Sequence, residues 1–110
     1  MEIIWTLTAK NTFKNNIKYL LKEWSKKEVD NFINEVYKKL ETLSEYPLIG
    51  TLDEDLKCRK FVIVKQITLL YNFEGNNLYL LNFWNNYQKP LKKTTLESYS
   101  NSFLISSITS

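Results

Sequence analysis

Few side chains in this chain are able to do acid–base or nucleophilic chemistry. There is no histidine, so histidine triads, two-histidine metal motifs and imidazole catalysis are excluded. Cys58 stands alone, which removes an intramolecular disulfide and any cysteine-based zinc site. Proton transfer and phosphate contact therefore fall to lysines, tyrosines, carboxylates and Arg59, the single arginine. Three adjacent acids, Asp53, Glu54 and Asp55, lack the repeated ligands of a cation loop, so no metal or other cofactor is expected. Lys10, Lys14, Lys18 and Lys22 recur every fourth residue; on a helix they form a basic ridge, suited to phosphate or simply solvated.

The charges are unevenly spread. Residues 1–56 carry eight lysines against ten acids, a net −2, whereas residues 57–110 carry six lysines and Arg59 against Glu74 and Glu97, a net +5. A basic half fits an acidic or polyanionic partner, or an ordinary solvated surface. With 110 residues, 44% hydrophobic and 15% aromatic, and only two glycines and two prolines, the chain suits one folded domain and not a disordered linker. The lone thiol and the absence of a secretory signal suggest a cytoplasmic location, and no apolar run approaches the roughly 20 residues needed to span a membrane.

The elements that must position these groups follow from periodicity. Glu2–Leu7 reads as a first strand, with Thr8 as the cap of a helix whose apolar stripe is Ala9, Phe13, Ile17, Leu20, Leu21 and Trp24. Ser25 and Glu28 form a capping box that restarts the chain as a second helix, with Val29, Phe32, Ile33, Val36, Leu40 and Leu43 on one face. Pro47 and Gly50 end it, and the two helices should form an antiparallel hairpin. Thr51–Leu56 reads as an exposed acidic loop. Three strands follow, Cys58–Lys65, Ile67–Phe73 and Leu78–Trp84, with tight connections that make an antiparallel meander. The predicted order is β-α-α-β-β-β, an α+β fold with the helical hairpin on one face of an antiparallel sheet. Residues 1–90 form the domain. The extension 91–110 is rich in Ser and Thr, and its apolar patch of Phe103, Leu104, Ile105 and Ile108 either docks on the domain, docks on a partner or frays.

This layout resembles the RelE/ParE superfamily of bacterial type II toxins. The matching residues are Leu7-Thr8-Ala9, Trp24-Ser25, the Leu43–Gly50 segment with Pro47, Arg59–Lys65, Leu69-Leu70-Tyr71 and Phe83–Pro90. The likeness covers residues 1–90 and rests on several weak motifs in order. It implies a cytoplasmic, growth-inhibiting toxin, of the kind found in plasmid stabilisation systems, neutralised by a cognate antitoxin that folds onto it. An acidic or amphipathic antitoxin segment would suit the basic second half. RelE-like members cleave mRNA on the ribosome; ParE-like members share the fold and inhibit DNA gyrase. No membrane partner is implied.

RNA cleavage requires a 2′-hydroxyl to lose a proton, a pentavalent phosphate to be stabilised and a 5′-oxygen to gain a proton. Under the RelE-like reading the catalytic candidates are Lys57, Arg59 and Lys65 for phosphate charge, with Tyr87 as a stacking group or weak acid. Strand alternation puts Lys57 and Arg59 on one face, turns Lys60 to the other, and returns Lys65 to the Arg59 face if the strand is regular. Each residue has a structural alternative. Arg59 can pair with an acid of the second helix or of the Asp53–Asp55 loop, and Lys57 and Lys65 can protect strand ends. Tyr87 occupies the arginine position of the family's closing RQ-x-P pattern, which removes a fixed positive charge there. Tyr71 and Tyr79 are expected to pack in the sheet, and Cys58 to pack as a small apolar residue. The single arginine favours a ParE-like toxin that acts by binding; a RelE-like nuclease is the alternative, and a non-toxic antitoxin-binding remnant the third reading.

Overall fold

Thr6 sets the entry to the first helix: its Oγ1 accepts from the Ala9 N–H (3.1 Å) and donates to the Leu80 carbonyl (2.7 Å). This cap is two residues earlier than the Thr8 expected, because the strand before it ends at Trp5 and frees Thr6 to bridge strand and helix. The computed structural model describes residues 1–87, and the extension 91–110 lies outside the described residues. The elements are β1 (Glu2–Trp5), α1 (Leu7–Glu23), α2 (Lys26–Glu45), β2 (Thr51–Asp53), β3 (Cys58–Val64), β4 (Ile67–Glu74) and β5 (Asn77–Asn85). They form an α+β fold in which the helical hairpin packs on one face of a five-stranded sheet ordered β1-β5-β4-β3-β2.

The helices follow their expected patterns with one exception. Ser25 and Glu28 make the reciprocal capping box, and Val29, Phe32, Val36, Leu40 and Leu43 are buried. On α1, Leu21 is 54% exposed and Asn16 is buried instead. Asn16 Nδ2 donates to the Phe83 carbonyl (2.8 Å), and the Phe83 N–H donates to Thr12 Oγ1 (3.0 Å). β1 pairs with β5 only as far as Leu80, so these two polar side chains satisfy the edge of β5 that β1 leaves open.

The sheet differs from expectation in two places. β1 runs parallel to β5, so the sheet is mixed and not wholly antiparallel. The segment read as an acidic loop contains β2, whose Thr51, Leu52 and Asp53 pair with Lys60, Arg59 and Cys58. Three residues are too few to show a periodicity. Trp5, Phe13, Phe32 and Phe83 form an aromatic chain, with ring centroids 5.3 to 5.9 Å apart, where β1, β5 and the two helices meet.

Two bulges decide which side chains face the helices. In β3, Val62 pairs with Thr68 and Val64 with Ile67, leaving Ile63 as the extra residue. Its freed carbonyl accepts from Lys39 Nζ of α2. In β5, Tyr71 pairs with Leu80 and Leu70 with Asn82, leaving Leu81 as the extra residue. Leu78 and Leu80 before that bulge and Phe83 after it therefore all reach the core beneath the helices.

Candidate functional site

Arg59 and Tyr71 are register partners on β3 and β4, and both point under the end of α2. Tyr71 Oη donates to the Pro47 carbonyl (2.7 Å) and accepts from the Gly50 N–H (2.9 Å). Arg59 Nη1 donates to the carbonyls of Gly50 (2.7 Å) and Leu48 (3.3 Å), and its guanidinium carbon lies 5.9 Å from the Phe73 ring centre. Burial pushes the Tyr71 hydroxyl above its ordinary pKa, against the opposing pull of the Gly50 N–H and Arg59. A Cβ on Gly50 would sit 2.5 Å from Tyr71 Oη and 2.9 Å from the Lys60 carbonyl, so glycine is required by this close approach. The loop after α2 is thus tied down by two strand side chains. It presents Tyr46, Leu48 and Ile49 to solvent beside exposed Leu52 of β2.

The acids expected as possible partners of Arg59 go elsewhere. Asp53 Oδ2 pairs with Lys60 Nζ at 3.2 Å, while Oδ1 accepts from the N–H groups of Asp55 and Leu56, each at 3.0 Å. Burial works against charge on Asp53, but the Leu56 N–H and Lys60 outweigh it and hold the carboxyl below its ordinary pKa. Asp53 therefore shapes a turn, and no group of three or more metal-ligating side chains occurs among the described residues. Cys58 is buried, and desolvation raises its thiol pKa to about 11.

The candidate cluster of Lys57, Arg59 and Lys65 is not assembled. Lys57 lies in the turn before β3 with φ of 59°, so strand alternation does not set its direction, and its carbonyl accepts from Asn72 Nδ2 (3.1 Å). Lys65 lies in the turn after β3, and the Ile63 bulge shifts the alternation that would have returned it to the Arg59 face. Lys57 and Lys65 flank opposite ends of β3, whose 7 residues span roughly 20 Å. Lys65 and Tyr87 each adjoin a residue of one backbone contact between the β3–β4 turn and the end of β5. The Asn86 N–H donates to the Gln66 carbonyl (2.7 Å), which sets exposed Tyr87 beside the β3–β4 turn.

A second candidate surface lies on the helical side. Ile3, Trp5, Tyr37 and Leu40 line an open groove between β1 and α2, with Lys38 and Glu41 at its rim. Trp5, Phe13 and Tyr37 continue it toward α1, where Lys10 and Lys14 stand over the crevice. Lys10, Lys14, Lys18 and Lys22 are all exposed, and among the described residues none of them has an ion pair. Sequence reasoning found the lysine ridge but not the groove, because β1 and α2 are brought together only by the parallel pairing of β1 with β5.

The family model for the ParE toxin of the parDE type II toxin–antitoxin system matches residues 3–87. The chain belongs to the ParE toxin family. As a ParE-family member it is the toxin of a type II toxin–antitoxin pair, and a cognate antitoxin is its partner. A search of curated proteins finds no match. The family match ends at Tyr87, so it takes in the first residue of the closing motif and none of the extension. No helix among the described residues of this ParE-family chain is long and apolar enough to cross a membrane.

Proposed function

We propose that this ParE-family toxin inhibits growth by binding DNA gyrase, without cleaving RNA. The observation that carries this reading is the engagement of Arg59, the single arginine, with two loop carbonyls. A phosphate-cleaving site needs preorganised cations converging on one phosphate. Here Lys57 and Lys65 flank opposite ends of β3, and Arg59 is committed to the Gly50 loop. The apolar tips of that loop, Leu48 and Ile49, are what the arginine helps to present. Such a surface suits a protein target better than a polyanion.

For the antitoxin, the groove beside β1 and the lysine ridge of α1 favour an acidic amphipathic segment, with apolar side chains against Trp5 and Tyr37 and carboxylates toward Lys10 and Lys14. This surface lies in the first half of the chain, whereas the net charge alone had pointed to the second. A RelE-like nuclease is the second reading, supported by the position of Lys65 and Tyr87 next to the Gln66–Asn86 hydrogen bond at one end of the sheet.

Purified gyrase supercoiling assays, run beside a translation reaction with primer extension on the mRNA, separate the two. The gyrase reading expects lost supercoiling with intact mRNA. Cuts that appear only on translating ribosomes would replace it with the nuclease reading. Inducible expression without the antitoxin tests toxicity itself, and normal growth with folded protein would leave only the third, non-toxic reading.

A further inference from the structure

The two helices treat their solvent faces differently. α2 mixes four lysines with five acids, and its Glu35 pairs with Lys38 (3.4 Å) and Lys39 (3.5 Å). α1 sets Lys10, Lys14, Lys18 and Lys22 against Glu23 alone. No position three or four residues from any of these lysines is acidic, so beside each on the helix stands another lysine or an uncharged group. Like charges at that spacing destabilise a helix. The first turn of α1 also lacks an acid to offset the positive end of its dipole. The ridge therefore costs the fold stability, and α2 shows the mixed arrangement that avoids this cost.

All four lysines are exposed. Each step of the ridge rises about 6 Å, and the whole row runs about 18 Å along the helix. The step is close to the separation of neighbouring phosphates along one nucleic-acid strand. Lys10 and Lys14 line the crevice assigned to the antitoxin, whereas Lys18 and Lys22 lie beyond it. Phe13 and Tyr19, the aromatics of α1, are packed against the core, so the ridge offers no ring on which an unpaired base could stack. A duplex needs no such platform. Of the two duplexes, DNA has a major groove wide enough, about 12 Å, to seat a helix between its phosphate rows, and RNA does not.

We infer that the lysine ridge of α1 is a binding surface for the phosphate backbone of duplex DNA, engaged without regard to base sequence. Lys10, Lys14, Lys18 and Lys22 each neutralise a phosphate and release its counterions. An antitoxin segment with carboxylates at Lys10 and Lys14 contends with DNA for half of the ridge and leaves Lys18 and Lys22 to it. The inference concerns the free toxin and does not depend on which cellular target is struck.

Fluorescence anisotropy of a short labelled DNA duplex of mixed sequence, titrated with the full chain at several salt concentrations, tests it. Four phosphate contacts predict a slope of about −3.6 for log affinity against log salt. Lys18→Gln combined with Lys22→Gln should weaken binding at low salt by at least about ten-fold and take about 1.8 off the magnitude of the slope. Lys27→Gln combined with Lys38→Gln removes the same charge from exposed positions of α2 and should weaken binding by less than about three-fold. The ridge variant relieves like-charge repulsion and should unfold no earlier than the parent, which separates lost binding from lost folding. Equal losses from the two pairs would reduce the effect to net charge and overturn the inference. Absence of binding at low salt, or tighter binding of duplex RNA or of a single strand, would overturn it as well. Ridge-dependent binding to phosphatidylserine vesicles that the DNA duplex does not displace would assign the ridge to a membrane surface instead.

Discussion

Arg59 Nη1 lies 2.7 Å from the carbonyl oxygen of Gly50, and Tyr71 Oη lies 2.9 Å from the nitrogen of the same glycine. One residue of the loop is thus held at both its backbone groups by neighbouring strands. The loop is fastened to the sheet, and its apolar tips keep a fixed place relative to β2.

Arg59→Lys keeps the charge but loses the rigid guanidinium plane that aims Nη1 at two carbonyls at once. Thermal unfolding should show a loss of about 1–3 kcal/mol, with Arg59→Ala at the upper end. If Arg59 served a phosphate instead, both variants would unfold like the parent.

Gly50→Ala drives a methyl group onto Tyr71 Oη and the Lys60 carbonyl. Overpacking of this kind costs about 1–3 kcal/mol, read as a lowered denaturant midpoint. Because the Lys60 carbonyl is backbone, Gly50→Ala combined with Tyr71→Phe should not recover the loss.

Asn16→Leu leaves the Phe83 carbonyl without its side-chain donor. An unsatisfied buried acceptor costs about 1–3 kcal/mol. Leu21→Gln, at an exposed position on the same helix, should change the unfolding midpoint little. Measured side by side, the pair distinguishes the polar seam from the apolar stripe that periodicity suggests.

Asp53 has a lowered pKa in the folded state, so its contribution is complete above the unfolded carboxylate value and is lost as pH falls through the folded one. Urea midpoints followed downward from neutral pH should decline through the acid range below the ordinary aspartate value of 3.8. Asp53→Asn should flatten that part of the decline and lower the neutral-pH midpoint.

The second helix and the bounds of the three long strands were legible in the sequence because they rest on local chemistry. Ser25 and Glu28 announce a helix start, and the spacing from Val29 to Leu43 names its buried face. The three long strands lie within a residue of their expected ends. What escaped is non-local. β2 is three residues long, and the parallel place of β1 depends on an edge exposed by strands that come much later. Asn16 read as one more polar residue, since its partner is 67 positions away. The Lys57–Arg59–Lys65 face depended on an unbroken alternation that the Ile63 bulge interrupts. Nothing in Phe61–Val64 marks that bulge, because its freed carbonyl is stabilised by Lys39 from another element.

The pairing of Glu2 with Asn77 gives this toxin a timetable during synthesis. β1 has no strand partner until β5 is translated, and Phe13 waits equally long for Phe83. A nascent chain stalled before β5 can form its hairpin but cannot close its sheet. Trp5 and Phe13 then lack the Phe83 ring for most of translation, which leaves that side of them open to chaperones or to whatever apolar segment meets them first.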